Sequence, residues 1–322
     1  RPPRPGTREE TVIEPQPALP PAPDRRHPNL VDPETAPRPR IKELEVMVAE
    51  VVRETPDTAT LVLFTGNDRL EYQPGHFLTI KPQQFPALDR FCQYFEDLKG
   101  KREPARANSL SSAPHERYLA VTVKEEQYVS GLTKYPPLLS PLLVWRTPPG
   151  TRMVVTGFGG PYTLPADIES RTDHVVHICA GSGSVPNLSI LKHCLGLGLK
   201  LRHTLVYGNK TWEDIIFRAQ FEALAAQYPD RLKIVHALSR DPEAARRHGC
   251  RVGRVGAELI CEHIPDPTAV EVFACGPGVG KFERQAARER GEAPQPRFLE
   301  TVLAALESIG VPDERIHRES YG

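Results

Sequence analysis

Near residue 170 the spacing of the apolar residues changes, and this change limits the possible architectures more than any other feature of the chain. Before it, IKELEVMVAEVVRET, ATLVLFTG, GHFLTIKP, YLAVTVKEE and TRMVVTG are short β-branched runs separated by Pro and Gly turns. Runs of this kind at this spacing predict antiparallel strands closing into a small barrel. After it, strand-like and helix-like segments alternate. HVVHICAG, RHTLVYGN, RLKIVHALS and AVEVFACGPG read as strands, with RIHRESYG closing the chain. NLSILKHCLGLGL, TWEDIIFRAQFEALAAQY, VGAELICEHI and PRFLETVLAALESIG read as helices. Alternation of this kind predicts a parallel sheet covered on both faces. The expected fold is β + α/β: an antiparallel β-barrel over residues 41–170, then a doubly wound parallel sheet over 171–322.

Two segments belong to neither half. Twelve of the 34 prolines fall in the first 40 residues, mixed with Arg, Glu and Asp. Such a stretch buries too little apolar surface to offset its ordering entropy, so 1–40 reads as a tail or linker. It opens on RPPRPG, neither a secretory signal nor an initiator start, and the expectation is that the protein's N-terminus lies upstream. The second segment, 83–105, is inserted between two strands. Within it Leu88, Phe91, Cys92, Phe95 and Leu98 recur at helical spacing, which predicts an amphipathic helix. Its apolar stripe reads first as docked on the core; a lid or a partner-docking face is the alternative.

Composition excludes several function classes. Lys+Arg and Asp+Glu are equal at 41 each, so no global field recruits nucleic acid or an anionic membrane. No apolar run approaches the roughly 20 residues of a bilayer span. The six cysteines contain no C-x-x-C pair, which argues against a structural zinc site, a disulfide framework or an iron–sulfur domain in this chain. No metal is expected, and a reduced, cytoplasmic setting is.

Chemistry concentrates at three places. RANSLSS, residues 106–112, gathers one cation and three hydroxyls inside the β half. AGSGSVPNLS, 180–189, follows the first strand of the second half: Gly181 and Gly183 remove Cβ atoms, Ser182 and Ser184 offer hydroxyls, and Pro186 suits the first turn of a helix. ACGPG, 274–278, puts Cys275, Gly276 and Pro277 at another strand end. In open α/β sheets ligands bind beyond the carboxyl ends of strands, so two Gly-rich ends in one crevice point to a nucleotide. Taken singly, each has a structural reading: turn-forming serines, tightly packed glycines, a buried small thiol.

Together these motifs resemble the ferredoxin–NADP reductase superfamily over roughly residues 41–322, in the family's order. YQPGHF resembles its x-P-G-Q-F/Y strand and RANSLSS its R-x-Y-S/T-x-x-S flavin motif. GSGSVP stands for G-T/G-G-x-x-P, and ACGP matches C-G-P. YGNKTWEDIIF resembles a stretch of oxygenase reductases, and ESYG the E-x-Y/F ending of flavodoxin- and ferredoxin-linked members. The resemblance implies a flavin-binding β-barrel followed by a Rossmann-like NAD(P) domain. It implies FAD, with FMN the lesser choice. Arg106 and Ser112 would hold the flavin's phosphate end, Ser109 would bond near N5, and Asn108 and Leu110 would join the same contact set. Asn108 departs from the motif, which has an aromatic there. The second phosphate contact is either Gly131 with Thr133, or Ser140 capping a helix in LLSPLLVW; Ser140 is preferred. Cys275 and Glu319 would flank the nicotinamide, and Tyr321 would cover the flavin face on which it stacks.

A 2′-phosphate is read by cations and hydroxyls at a strand end. Ser239 and Arg240 resemble the S-R pair of NADPH-selective members, with Asn209, Lys210 and Thr211 beside them; an Arg240–Asp241 surface pair is the structural alternative. The implied function is a reductase carrying electrons from NADPH (NADH as the lesser choice) through a flavin to a separate acceptor: a ferredoxin, a flavodoxin or an oxygenase component. Its rivals are a non-catalytic nucleotide-binding redox subunit, and a reductase of free flavin or quinones.

Overall fold

In the computed structural model, residues 43–66, 70–130 and 133–321 are described, and they fall in one compact unit. The proline-rich segment 1–40, Gly131 and Gly322 lie outside the described residues.

Six strands make the first sheet: β1 (Leu44–Thr55), β2 (Thr58–Phe64), β3 (Phe77–Ile80), β4 (Arg106–Ser109), β5 (Leu119–Lys124) and β6 (Arg152–Gly159). Their order is β4-β3-β6-β1-β2-β5, with every pairing antiparallel. Alternation along the strands sends Val46, Val48, Ala59, Leu61, Leu63, Leu78, Ile80, Val121 and Val123 into one core. The expected barrel is not closed. The edge strands β4 and β5 share no ladder, only an isolated bridge between Leu110 and Val121.

The insertion forms helix α1 (Asp89–Lys99), ending on Gly100 in the left-handed conformation (φ 63°). Leu88, Cys92 and Phe95, spaced four and three apart, are buried against the core. Phe91 and Leu98 were expected on the same stripe but lie on another face, 58% and 56% exposed together with Tyr94. The apolar stripe is wider than the one face that this helix buries. Helix α2 (Ser140–Trp145) follows β5, and α3 (Ile168–Arg171) leads into the second half.

There the strands are β7 (His174–Ala180), β8 (Arg202–Asn209), β9 (Leu232–Leu238), β10 (Arg251–Val252), β11 (Glu271–Pro277) and β12 (Ile316–Tyr321). The sheet is parallel throughout, in the order β10-β9-β8-β7-β11-β12. Helices α4 (Ser184–Gly196) and α5 (Arg218–Gln227) cover one face, with Leu188 and Phe221 in a cluster with Leu205 and Leu238. Helices α6 (Pro242–Arg247), α7 (Ala257–Cys261), α8 (Lys281–Glu289) and α9 (Phe298–Ser308) complete the set. Leu259 of α7 and Val302 of α9 pack on Val176, Val206 and Val272 over the opposite face. Between β7 and β11 the strand order reverses, so the crevice opens where Ala180 and Pro277 end their strands.

The expected helix begins only at Arg218, so TWEDIIF is not helical, and Ile215, Ile216 and Phe217 are all buried. Asp214 instead accepts the Thr211 N–H and hydroxyl, and Phe217 takes φ 62° before α5 begins.

Candidate active site between the two sheets

Parallel pairing places Cys275 beside Glu319 and Pro277 beside Tyr321 at the ends of β11 and β12. Antiparallel pairing with Phe77 brings Ser109, the last residue of β4, to the same point from the other half. The Tyr321 hydroxyl donates to Ser109 Oγ at 2.6 Å. Ser109 Oγ lies 3.5 Å from Glu319 Oε2, and Cys275 Sγ lies 3.9 Å from that oxygen. Four residues that resemblance grouped across 212 positions of sequence therefore meet in space.

Their electrostatics follow from what is missing nearby. Glu319 has no cation partner among the described residues, and burial pushes its carboxyl up to about 7 although Ser109, Tyr321 and Cys275 hydrogen bonds pull the other way. Its side chain keeps a solvent-facing edge. Burial, then the neighbouring Glu319, pushes the Cys275 thiol well above its ordinary range. A neutral thiol and a carboxyl titrating near neutrality thus sit side by side.

At the end of β7, Gly181 adopts φ 52°, and a Cβ there would meet nothing within 4 Å. Its carbonyl accepts from the Tyr207 and Ser184 hydroxyls at 2.9 and 3.0 Å. The Ser182 hydroxyl has no hydrogen-bond partner among the described residues. The other glycines answer to packing. A Cβ on Gly183 would stand 2.1 Å from the Cys275 carbonyl, and one on Gly276 would stand 2.5 Å from the Phe298 ring. Pro186 is buried in the first turn of α4. Sequence reasoning missed what locks this turn. Asn187 donates to the Gly183 carbonyl at 2.8 Å, while its own oxygen accepts from Tyr162 and bonds the buried His177 ring.

Further along, Asn209 is 8% exposed and neither atom of its amide has a partner among the described residues. An orphaned buried amide at a strand end suits a polar ligand. Ser239 bonds the Asn209 carbonyl, and Arg240 and Lys210 are exposed without an ion pair among the described residues. The Arg240–Asp241 pair does not form, because Asp241 caps α6 by accepting the Ala244 N–H at 3.1 Å.

On the flavin side the outcome is mixed. Arg106, at the start of β4, is 43% exposed in its side chain and reaches Glu103 at 2.9 Å. Asn108 turns its amide back to the Arg106 carbonyl. Three of the expected contact residues are engaged within the protein. Leu110 is fully buried in the core. The Ser112 hydroxyl bonds Tyr72 and accepts the Ala120 N–H, and its carbonyl accepts from Ser189 of the other half. Ser140 does not cap α2: it is the first helical residue, and its hydroxyl accepts the Glu126 N–H at 3.0 Å.

The chain is similar to several known proteins. Residues 177–285 match the oxidoreductase NAD-binding domain. The ferredoxin reductase component of 3-ketosteroid-9-alpha-monooxygenase from Mycolicibacterium smegmatis is 32% identical over 288 residues, 86% of this chain. The chain is thus similar to ferredoxin reductase components over most of its length. It spans 65% of the length of that mycobacterial relative, and 64% of the length of the corresponding component from Rhodococcus rhodochrous, which is 30% identical over 85% of this chain. Among solved structures, the FAD/NAD-binding domain of nitric oxide dioxygenase from Vibrio cholerae superposes with a TM-score of 0.65 at 23% identity, over 87% of this chain and 99% of that one. In the shared two-sheet fold, the four-residue junction lies where the two sheets meet.

Proposed function

We propose that the chain is a flavoprotein reductase that takes hydride from NADPH and delivers single electrons to a separate protein: a ferredoxin, a flavodoxin or an oxygenase component. Residues 41–170 hold the flavin and residues 171–322 the nicotinamide nucleotide. The convergence of Ser109, Cys275, Glu319 and Tyr321 at one point carries this reading. The monooxygenase relative, named a ferredoxin reductase component, favours an oxygenase system as the acceptor. All six cysteines are free thiols, which supports a cytoplasmic setting.

The residues fit a flavin. Ser109 offers a hydroxyl and Tyr321 a planar ring at one end of β4. Arg106 offers a guanidinium three residues away, roughly 10 Å along an extended strand. A five-carbon ribityl chain bridges a comparable span between ring and phosphate. The flavin, when bound, divides the two electrons of a hydride into single electrons for the acceptor. Tyr321 excludes water from the ring face until nicotinamide displaces it. Cys275 and Gly276 shape the slot in which the nicotinamide lies, and Glu319 holds or releases a proton beside Ser109 Oγ. Arg240 and Lys210, with no ion pair among the described residues, favour NADPH over NADH through its 2′-phosphate.

The test is turnover of NADPH with cytochrome c as a one-electron acceptor, by the flavin-loaded chain and by Ser109→Ala. The expected result is steady reduction by the parent and a loss of about tenfold or more in the variant. Equal rates in both would overturn the assignment of Ser109.

A further inference from the structure

The inserted helix carries a cation that the flavin motif does not include. Glu103 follows α1 and has a side chain only 1% exposed, yet it is an ionisable carboxylate. Its backbone is held on both sides by the insertion: its N–H donates to Glu96 at 3.0 Å, and its carbonyl accepts from Gln83 at 2.8 Å. One carboxylate oxygen meets Lys99 and the other meets Arg106. Lys99 Nζ also lies over the Phe95 and Tyr135 rings, 4.7 and 4.4 Å from their centroids, and its side chain is 15% exposed.

Charge counting shows what this arrangement does. A carboxylate buried with Arg106 alone would form a neutral pair and spend the guanidinium on internal compensation. With Lys99 present the three groups sum to one positive charge, and that charge resides where Arg106 is open to solvent. We propose that Lys99 of the inserted helix neutralises Glu103, so that Arg106 keeps its charge for the flavin's phosphate end. Lys99 is therefore a positioning residue, acting through Glu103 and Arg106. The inference rests on the flavin reading above, and it gives the insertion a role in cofactor affinity.

The experiment titrates the full chain, freed of flavin, with riboflavin, FMN and FAD. Lys99→Met keeps an apolar stem on the two rings and removes the charge. It should weaken FMN and FAD by about tenfold and leave riboflavin unchanged, because only the first two carry phosphate. Adding Glu103→Gln to Lys99→Met removes the uncompensated carboxylate and should restore phosphate-dependent affinity to near the parent's. A purely structural Lys99 would weaken all three ligands alike and would not be rescued; either result overturns the proposal. If the variant does not fold, Lys99→Gln answers the same question, with the flavin-free melting temperature as the check. Arg106→Ala separates the two readings. Parent-like phosphate dependence in that variant defeats the flavin assignment itself, whereas a loss there with none in Lys99→Met defeats only the role of Lys99.

Discussion

Two carboxylates, one at each end of β4, are treated in opposite ways. At its start Glu103 is sealed from solvent and held by two cations. At its end Glu319, on β12, meets a serine, a thiol and solvent but no cation among the described residues. In the proposed flavin reading, the first arrangement keeps charge available for recognition. The second leaves a proton free to move near neutral pH, as proton transfer requires. Both halves seal a carboxylate against cations: Glu271 of β11 is fully buried and meets Arg171 and Arg315, as Glu103 meets Lys99 and Arg106. The parallel half adds a chain of buried neutral groups, with His177 bonding both Asn187 and His203.

Those buried histidines make the parallel half sensitive to acid. Burial lowers His177 to about 4, while an unfolded histidine titrates near 6.5. The folded state disfavours the proton, so stability is complete above about pH 6.5 and falls as pH drops towards 4. His177 alone should account for roughly 3 kcal/mol of that loss. His203, lowered well below its ordinary value by burial, adds to it. Urea unfolding at pH 7.5, 6 and 5 measures this, and a transition independent of pH over that range would show that the histidines are not buried neutral.

On the antiparallel side, Arg106→Ala should weaken FAD by about 1.5–3 kcal/mol, ten- to a hundredfold, with the fold intact. Unchanged flavin content after purification would break the assignment. At the far end of the parallel sheet, Arg240→Ala should raise the KM for NADPH by about tenfold and leave NADH use nearly unchanged. Equal losses for both nucleotides would mean that Arg240 acts on a shared part of them. A smaller effect is expected from the ring of Tyr321. Removing Tyr321 with Gly322 deletes a ring whose stacking is worth about 0.5–1.5 kcal/mol, so nucleotide binding should tighten and the preference for NADPH relax. Identical affinities in the truncated protein would reduce Tyr321 to packing.

Much of this was legible in the sequence because period and glycine placement are local signals. The change of period near residue 170 marked antiparallel then parallel sheets, and GSGSVP and ACGP marked two strand ends. What failed was non-local. Nothing in IIF reveals that three consecutive residues will all be buried, so a helix was expected where Phe217 turns left-handed. Ser140 looked like a helix cap, but it is the first helical residue and its hydroxyl accepts the Glu126 N–H. The Arg240–Asp241 pair, the structural alternative to nucleotide binding, gave way to a helix start, which Asp-Pro-Glu also signals. The charged helix α8 left little trace because it buries only Ala287. Lys99 and Glu103 were passed over because their roles arise from pairing with Arg106 across the insertion.

The most direct test of the proposed hydride-transfer site is the anaerobic rate at which NADPH bleaches the bound flavin, followed from pH 5.5 to 8.5 in the parent and in Glu319→Gln. The parent should show a rate that changes with a midpoint near 7, where Glu319 titrates. In Glu319→Gln that inflection should vanish and the rate fall by about a hundredfold. A parent-like rate and an unchanged pH profile in Glu319→Gln would contradict the placement of hydride transfer at the Ser109–Glu319–Cys275 junction.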